Sequence, residues 1–204
     1  MLASQMAMSS EVHLEAVLHV FAFLCQRYNY RMAFDPTYPV INMNDFKECR
    51  WEAFYEELND SIPPNAPEER GKVVDLYGYV DSDHAGENKT KRSRSGFFIF
   101  FNTVLIQWFS RKQAMIDTPV FRAEFVAVKI FMETLKGIRY NTRMMSVPIS
   151  GPSYIYEYNV MVIHNTQRPE STLTKESNYI CYHAVRYSVA MGKSLTGHVG
   201  TNKN

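Results

Sequence analysis

The sequence predicts an α/β domain that is built on a mixed β-sheet. Three apolar stretches of strand length follow one another over residues 73–109, with Asn102-Thr103 as a tight turn between the last two. A long stretch with helical periodicity over 118–140 comes next, followed by a strand, further helices and a last strand. We therefore expect three antiparallel strands, then a helix-strand-helix-strand arrangement in the same sheet.

The composition of the chain limits its class. The 204 residues are 46% hydrophobic, which is enough for a packed core, and the net charge of +1 predicts no general affinity for polyanions. Three widely spaced cysteines form no zinc or redox motif, and no stretch resembles a secretory signal or a membrane span. We expect an intracellular protein of the cytoplasm or nucleus, neither secreted nor bound to a membrane.

A helical appendage precedes this domain. Apolar residues recur at helical spacing over 11–28, which predicts a helix with one face toward a core, and a second helix is predicted over 44–58. The proline-rich stretch 61–72 is typical of a linker. The predicted organisation is an appendage over 1–60, a linker over 61–72 and the α/β domain over 73–204.

The first strand of the domain ends in two carboxylates. Asp81 and Asp83 close an apolar stretch that begins at Leu76, and Gly86 follows in a turn. Residues two apart on a strand point to the same face, so both side chains should share one side of the sheet. Burying ionised acids at the end of a strand costs free energy unless a cation pairs with them, and a metal ion is one such cation.

Basic side chains follow the first and third strands. They comprise Lys91, Arg92 and Arg94 in one cluster and Arg111 and Lys112 in the other. Such a charge cluster is usually a solvated loop, but beside a pair of acids it is also suited to holding a phosphate backbone. The residue types leave both interpretations open.

Glu124 is a charged residue at a position where the helical pattern predicts an apolar one. It falls near the centre of the apolar arc of the long helix, among Phe121, Val128 and Phe131. A carboxylate in a core-facing stripe must be paired, neutral or bound to metal. A salt bridge to a nearby Lys or Arg and a metal-binding or catalytic role are therefore both open.

Four blocks of sequence resemble the ribonuclease H region of copia-type retrotransposon polyproteins. They are the stretches 79–86 (YVDSDHAG), 92–97 (RSRSGF), 106–113 (IQWFSRKQ) and 123–127 (AEFVA), in that order. Residues 13–25 further resemble the end of the reverse transcriptase portion and its connection, and 182–186 extends the resemblance forward. The resemblance implies a ribonuclease H-like fold.

The resemblance also implies an activity and a site. Domains of this family cut the RNA strand of RNA–DNA hybrids with two Mg²⁺ ions held by carboxylates. Asp81 matches the acid of the first strand and Glu124 the acid of the helix, and both would be catalytic metal ligands. Lys91, Arg92, Arg94, Arg111 and Lys112 would contact the hybrid, and the rest of the polyprotein is the other implied partner.

The chain departs from the family pattern at two places. Tyr158 stands where the third acid is expected, and a phenol is a poor Mg²⁺ ligand at neutral pH. The neighbouring Glu157 should point to the other face by strand alternation, and the fourth acid would lie beyond the last strand of a C-terminally truncated fold. We therefore expect an impaired or inactive hydrolase; a non-catalytic nucleic-acid-binding remnant and a functionless relic are the alternatives.

Overall fold

The computed structural model describes residues 11–29, 35, 37–47, 49–55, 58–87, 90–114, 116, 120–171 and 179–199. The chain forms two compact units, residues 1–34 and 35–204. In the first unit, helix α1 spans Glu11–Gln26, and none of its residues is buried. The predicted core-facing stripe of this helix is therefore exposed, because no described residue of its unit covers it.

The second unit contains a five-stranded sheet with helices between its strands. The elements are β1 (Leu76–Asp83), β2 (Arg94–Phe101), β3 (Val104–Lys112), α2 (Val120–Met144), β4 (Ser153–Glu157), α3 (Val160–Gln167), α4 (Tyr179–Ala190) and β5 (Ser194–His198). The strand order is β3-β2-β1-β4-β5. The pairs β1–β2 and β2–β3 are antiparallel, and β1–β4 and β4–β5 are parallel. This arrangement confirms the predicted mixed sheet and the ribonuclease H-like fold class.

One face of the sheet, here called the helix face, is buried under α2. Leu76 and Val80 of β1 join Val128 and Phe131 of α2 in the main hydrophobic core. Gly78 lies between these strand residues, and a Cβ atom there would come within 2.2 Å of the Phe98 carbonyl oxygen and 2.7 Å of the Phe131 ring. The missing side chain thus lets α2 lie directly against β1.

The opposite face, here called the open face, is only partly covered. A segment over residues 37–47, here called the strap, crosses it at β4 and β5. Phe46 of the strap forms a β-bridge with Gly197, and its ring lies 4.9 Å from Tyr154 and 5.0 Å from Tyr156 between centroids. The helix predicted over 44–58 is wrong for the described residues: a short 3₁₀ turn, Met43–Asp45, precedes this pairing, which holds Phe46 extended.

Asp60, which directly precedes the predicted linker, forms ion pairs with α2. The carboxylate of Asp60 accepts hydrogen bonds from Arg139 and Arg143, both at 2.6 Å. Burial alone would raise the pKa of Asp60, but these two guanidinium groups together lower it below its usual value. The boundary between the two compact units lies at residue 34, and the division into an appendage over 1–60, a linker over 61–72 and a domain over 73–204 stays a prediction.

None of the helices in the described ranges combines the length and the apolar character that a membrane-spanning segment needs. Two helix ends carry residues that favour such positions. Asn159 caps α3 by accepting a hydrogen bond from the Met161 backbone N–H, and Gly192 follows α4 with a φ of 67°. Thr118 and Pro119, whose residue types are typical of a helix cap followed by proline at the first helical position, lie outside the described residues.

Candidate functional site

The acids of β1 lie on the open face at the carboxyl end of the strand. Asp81 and Asp83 are both exposed, whereas Val80 and Ser82 between them are buried, which confirms that the two carboxylates share a face. The turn after the strand is tight, because a Cβ atom on Gly86 would overlap the carboxylate of Asp83. Gly86 therefore lets the chain pass close to this strand end.

Glu124 approaches the same strand end from α2. Its side chain is only 7% exposed. Burial raises the pKa of Glu124 to about 7, and repulsion from Asp81 adds to this rise, while hydrogen bonding with Ser82 opposes it. Its Oε2 atom has no hydrogen-bond partner, and no salt bridge to it exists among the described residues. The salt-bridge alternative therefore finds no support in this part of the chain.

Glu157 is a third acid at this edge, and it is completely buried. Burial raises the pKa of Glu157 to about 8, and repulsion from Glu124 and Asp81 raises it further. The backbone N–H of Asn159 donates to its Oε1 at 3.0 Å, whereas Oε2 has no hydrogen-bond partner. Near neutral pH, Glu157 is thus held mainly in its protonated form.

The side chain of Glu157 lies on the face opposite to Asp81 and Tyr158, as strand alternation predicts, but it approaches Glu124. Strand alternation does separate it from Tyr158, but the register pairs Glu157 with Val80, whose side chain lies in the core beneath α2. Because Glu124 also enters from the helix face, alternation turns Glu157 toward Glu124. Tyr158 faces the opposite side, where it packs against the aromatic cluster of the open face.

The acids present do not fit the pair of Mg²⁺ ions that the family pattern implies. No group of three or more His, Cys, Asp or Glu side chains within the described ranges is arranged to hold a metal ion. Mg²⁺ requires ionised hard oxygen ligands in near-octahedral geometry, whereas burial favours the neutral forms of Glu124 and Glu157. The catalytic and metal-binding roles of Asp81 and Glu124 stay predictions.

The five predicted nucleic-acid contacts divide between different surfaces. Arg94 and Lys112 are direct cross-strand partners on the open face, and Lys112 forms an ion pair with Glu87. Arg111 is the cross-strand partner of Ser95, which is buried on the helix face. The side chain of Arg111 therefore leaves β3 on the helix face, not on the open face with Arg94 and Lys112. The remaining two, Lys91 and Arg92, lie in the loop between β1 and β2.

One supporting residue has no role in the predicted site. Gln113 is buried just beyond β3, and its Nε2 atom donates to Ser95 Oγ at 2.9 Å and to the carbonyl oxygen of Ala123 at 2.8 Å. These bonds tie the end of β3 to the first turn of α2, where Glu124 is the next residue. Its position at the end of the 106–113 block is the sequence feature that could have indicated this role.

The chain is similar in sequence to part of a retrotransposon polyprotein. No family model matches the chain. Over 133 residues it is 26% identical to the retrovirus-related Pol polyprotein from transposon RE2 of Arabidopsis thaliana, which covers 65% of this chain and 9% of that protein. The chain thus spans about 9% of the length of this curated relative.

Solved ribonuclease H domains are also similar to it. The N-terminal RNase H domain of a Mycobacterium tuberculosis protein, fused to maltose binding protein, has a TM-score of 0.49 and 7% identity over 64% of this chain and 86% of that chain. RNase H1 from Halobacterium salinarum has a TM-score of 0.46 and 10% identity over 62% and 86%. The fold assignment itself comes from the strand order and directions described above. The chain is therefore similar to part of a retrotransposon Pol polyprotein and has a ribonuclease H-like fold, as its four sequence blocks predicted.

Proposed function

We propose that this chain is the ribonuclease H-like part of a copia-type retroelement polyprotein that binds RNA–DNA hybrid but cleaves it poorly or not at all. The observation that carries the proposal concerns two neighbouring residues: Tyr158 lines the same open-face cavity as Asp81, whereas Glu157 is buried on the helix face and largely protonated. Tyr158 thus has a phenol where the family pattern has an ionised ligand, and the neighbouring acid, Glu157, is mainly neutral.

The free-energy cost of ionising the buried carboxyl groups Glu124 and Glu157 supports an impaired hydrolase. A pair of divalent cations would require Asp81, Glu124 and a third acid to be charged together, while the protein environment raises the pKa of both buried glutamates. Each pKa unit of such a rise opposes ionisation by about 1.4 kcal/mol. Metal binding would have to overcome this cost with one carboxylate fewer than the family pattern supplies.

A cleavage assay tests the catalytic part of the proposal. Purified protein is incubated with a labelled RNA–DNA hybrid in Mg²⁺ or Mn²⁺, next to an Asp81→Asn variant. We expect the two proteins to give the same background. Cleavage by the wild-type chain clearly above the Asp81→Asn level would contradict the proposal.

A gain-of-function variant tests the cause of the defect. Tyr158→Asp introduces an acid on the same side of the sheet as Asp81, and we expect it to raise metal-dependent cleavage above that of the wild-type chain. Tyr158→Phe is the matched control, since it removes the hydroxyl without adding a carboxylate. If folded Tyr158→Asp protein cleaves no better than Tyr158→Phe, the identity of residue 158 does not limit activity.

Binding is tested separately through its dependence on salt. Each lost phosphate contact reduces the slope of log affinity against log salt by about one. We expect Arg92→Ala/Arg94→Ala to weaken hybrid binding and flatten this slope, whereas Arg70→Ala/Lys72→Ala, an exposed basic pair outside the predicted contacts, should leave both unchanged. Equal effects of the two double variants would reject the predicted contact surface.

Association with the rest of the polyprotein and an intracellular location form part of the same proposal. They are supported by the 26% identity to the Arabidopsis Pol polyprotein. Residues 13–25, which resemble the end of the reverse transcriptase portion, would then connect this domain to the preceding part of such a polyprotein.

A further inference from the structure

The open face carries a continuous row of aromatic side chains, here called the aromatic ridge. The register makes Tyr156, Tyr79, Phe98 and Trp108 successive cross-strand partners on β4, β1, β2 and β3. Tyr156 is buried and stacks on Tyr79 with 5.0 Å between ring centroids and 15° between planes. The exposed fraction then rises to 37% at Tyr79, 50% at Phe98 and 64% at Trp108. Large apolar side chains exposed in a row on one surface indicate a binding site.

A cavity of about 680 Å³ opens beside the ridge, between the strap and the sheet. Its lining includes Tyr79 and Phe98 from the ridge and Asp45 from the strap, with Ser110 and His198 as further polar residues. A volume of this order accommodates a small ligand such as a nucleotide. The hydroxyl, imidazole and carboxylate groups can form hydrogen bonds with the edge of a bound base.

Small and charged residues lie in the rows that follow the ridge on the same face. The next row contains Asp81, Gly96 and Ser110, and the one after it contains Asp83 together with the cationic pair Arg94 and Lys112. Lys112 forms an ion pair with Glu87. Four residues along a strand span roughly 13 Å, so the cationic pair lies about that far from the ridge. An aromatic row, a row with the small residues Gly96 and Ser110, and a row that includes the guanidinium of Arg94 thus follow one another in the order of base, sugar and phosphate in a nucleotide.

We propose that the aromatic ridge binds unpaired bases of single-stranded nucleic acid by stacking, with the backbone directed toward Arg94 and Lys112. Aromatic rings on an exposed sheet bind single strands by stacking, because every base has a π-face. The carboxylates of Asp81 and Asp45 beside the ridge accept hydrogen bonds from base amino groups. An apolar protein partner would instead have to desolvate Asp81 without a matching charge. The inference rests on the proposed function for its class of ligand, and it adds the aromatic ridge to Arg94 and Lys112, two of the predicted hybrid contacts.

Tryptophan fluorescence gives a direct test, because the chain has two tryptophans and only Trp108 is exposed, Trp51 being buried. A 12-nucleotide single strand is titrated into the full chain, and binding is also followed by anisotropy of a labelled strand. We expect quenching of the exposed tryptophan. Trp108→Ala and Phe98→Ala should each weaken binding at least about fivefold, the lower end of the effect of losing one stacked base.

Two controls distinguish stacking from other causes. Trp108→Tyr keeps an aromatic ring and should retain most of the affinity, whereas Tyr140→Ala removes an aromatic side chain of α2 that is about as exposed as Phe98 and should change nothing. Single-strand affinity that is indifferent to Trp108→Ala overturns the inference. So does a concentration-dependent dimer in sedimentation that Trp108→Ala abolishes, since the ridge would then bind a second copy of the chain.

The outcomes also separate this inference from the proposed function. Hybrid binding that depends on Arg92 and Arg94, without any quenching by single strands, leaves the proposed function intact and refutes the ridge. Quenching by single strands with no hybrid binding supports the ridge and refutes the proposed hybrid binding. Absence of both kinds of binding refutes both.

Discussion

The buried carboxyl of Glu157 should make the domain less stable as the pH rises. Burial, with repulsion from Glu124 and Asp81, raises the pKa of Glu157 in the folded state to about 8 from an ordinary value of 4.5. Between these two values the folded state binds one more proton at this site than the unfolded state does. The free energy of unfolding contributed by this group is therefore fully present below pH 4.5 and is lost as the pH rises toward 8.

The size of this pH dependence follows from the one extra proton that the folded state binds. A difference of one bound proton changes the free energy of unfolding by about 1.4 kcal/mol per pH unit. Glu157→Gln keeps the shape of the side chain and cannot ionise, so it should remove this slope. Between pH 5.5 and 7.5, the stability of the variant relative to the wild type should rise by up to about 3 kcal/mol.

Urea unfolding at pH 5.5, 6.5 and 7.5, followed by circular dichroism, measures this difference. Subtracting the two proteins at each pH cancels the titration of histidines and surface groups that both share. Glu133→Gln, which alters an exposed carboxyl on α2, is the matched control and should follow the wild type at all three pH values. A difference between Glu157→Gln and the wild type that does not change with pH would refute the assignment of a buried, neutral Glu157.

Three further predictions concern packing and local backbone structure. Gly78→Ala should destabilise the domain by about 1–3 kcal/mol in urea unfolding, because its Cβ has no room beneath α2, whereas Gly137→Ala, with nothing within 4 Å, should be neutral or stabilising. Asp60→Asn should cost about 3 kcal/mol by leaving the buried Arg139 guanidinium without its anion, and a loss no larger than that of a surface substitution would contradict this. Asn102→Ala should cost about 2 kcal/mol, since Asn102 has a φ of 53° and accepts a 2.9 Å bond from the Asp75 N–H; Asn102→Gly should recover the part due to strain.

Most secondary-structure elements of the second unit could be predicted because their determinants are local. The two-residue turn at Asn102-Thr103, the alternation along β1 and the apolar arc of α2 all act within a few residues of chain. The predicted helix over 44–58 failed for the opposite reason. Phe46 is held extended by a bridge to Gly197, a partner about 150 residues away along the chain.

The candidate site was predicted in part. Asp81 and Glu124 could be named because an acid that ends an apolar strand, and an acid within an apolar helical arc, each contradict their local surroundings. The approach of Glu157 to Glu124 could not be predicted, since alternation within β4 determines only that Glu157 and Tyr158 point to opposite faces. Which of them faces Glu124 depends on the parallel register that pairs Glu157 with Val80.

The amino-acid sequence alone therefore specified the succession of strands and helices, the two acids at positions 81 and 124, and the resemblance to a retroelement ribonuclease H region. The tertiary structure decided that Glu157 is a buried third acid, and that Tyr79, Phe98 and Trp108 form one exposed row. Periodicity and turn chemistry act over a few residues, whereas strand register and helix docking bring together residues far apart in the chain. The electrostatics of Glu157 and the alignment of the aromatic ridge exist only once those distant contacts have formed.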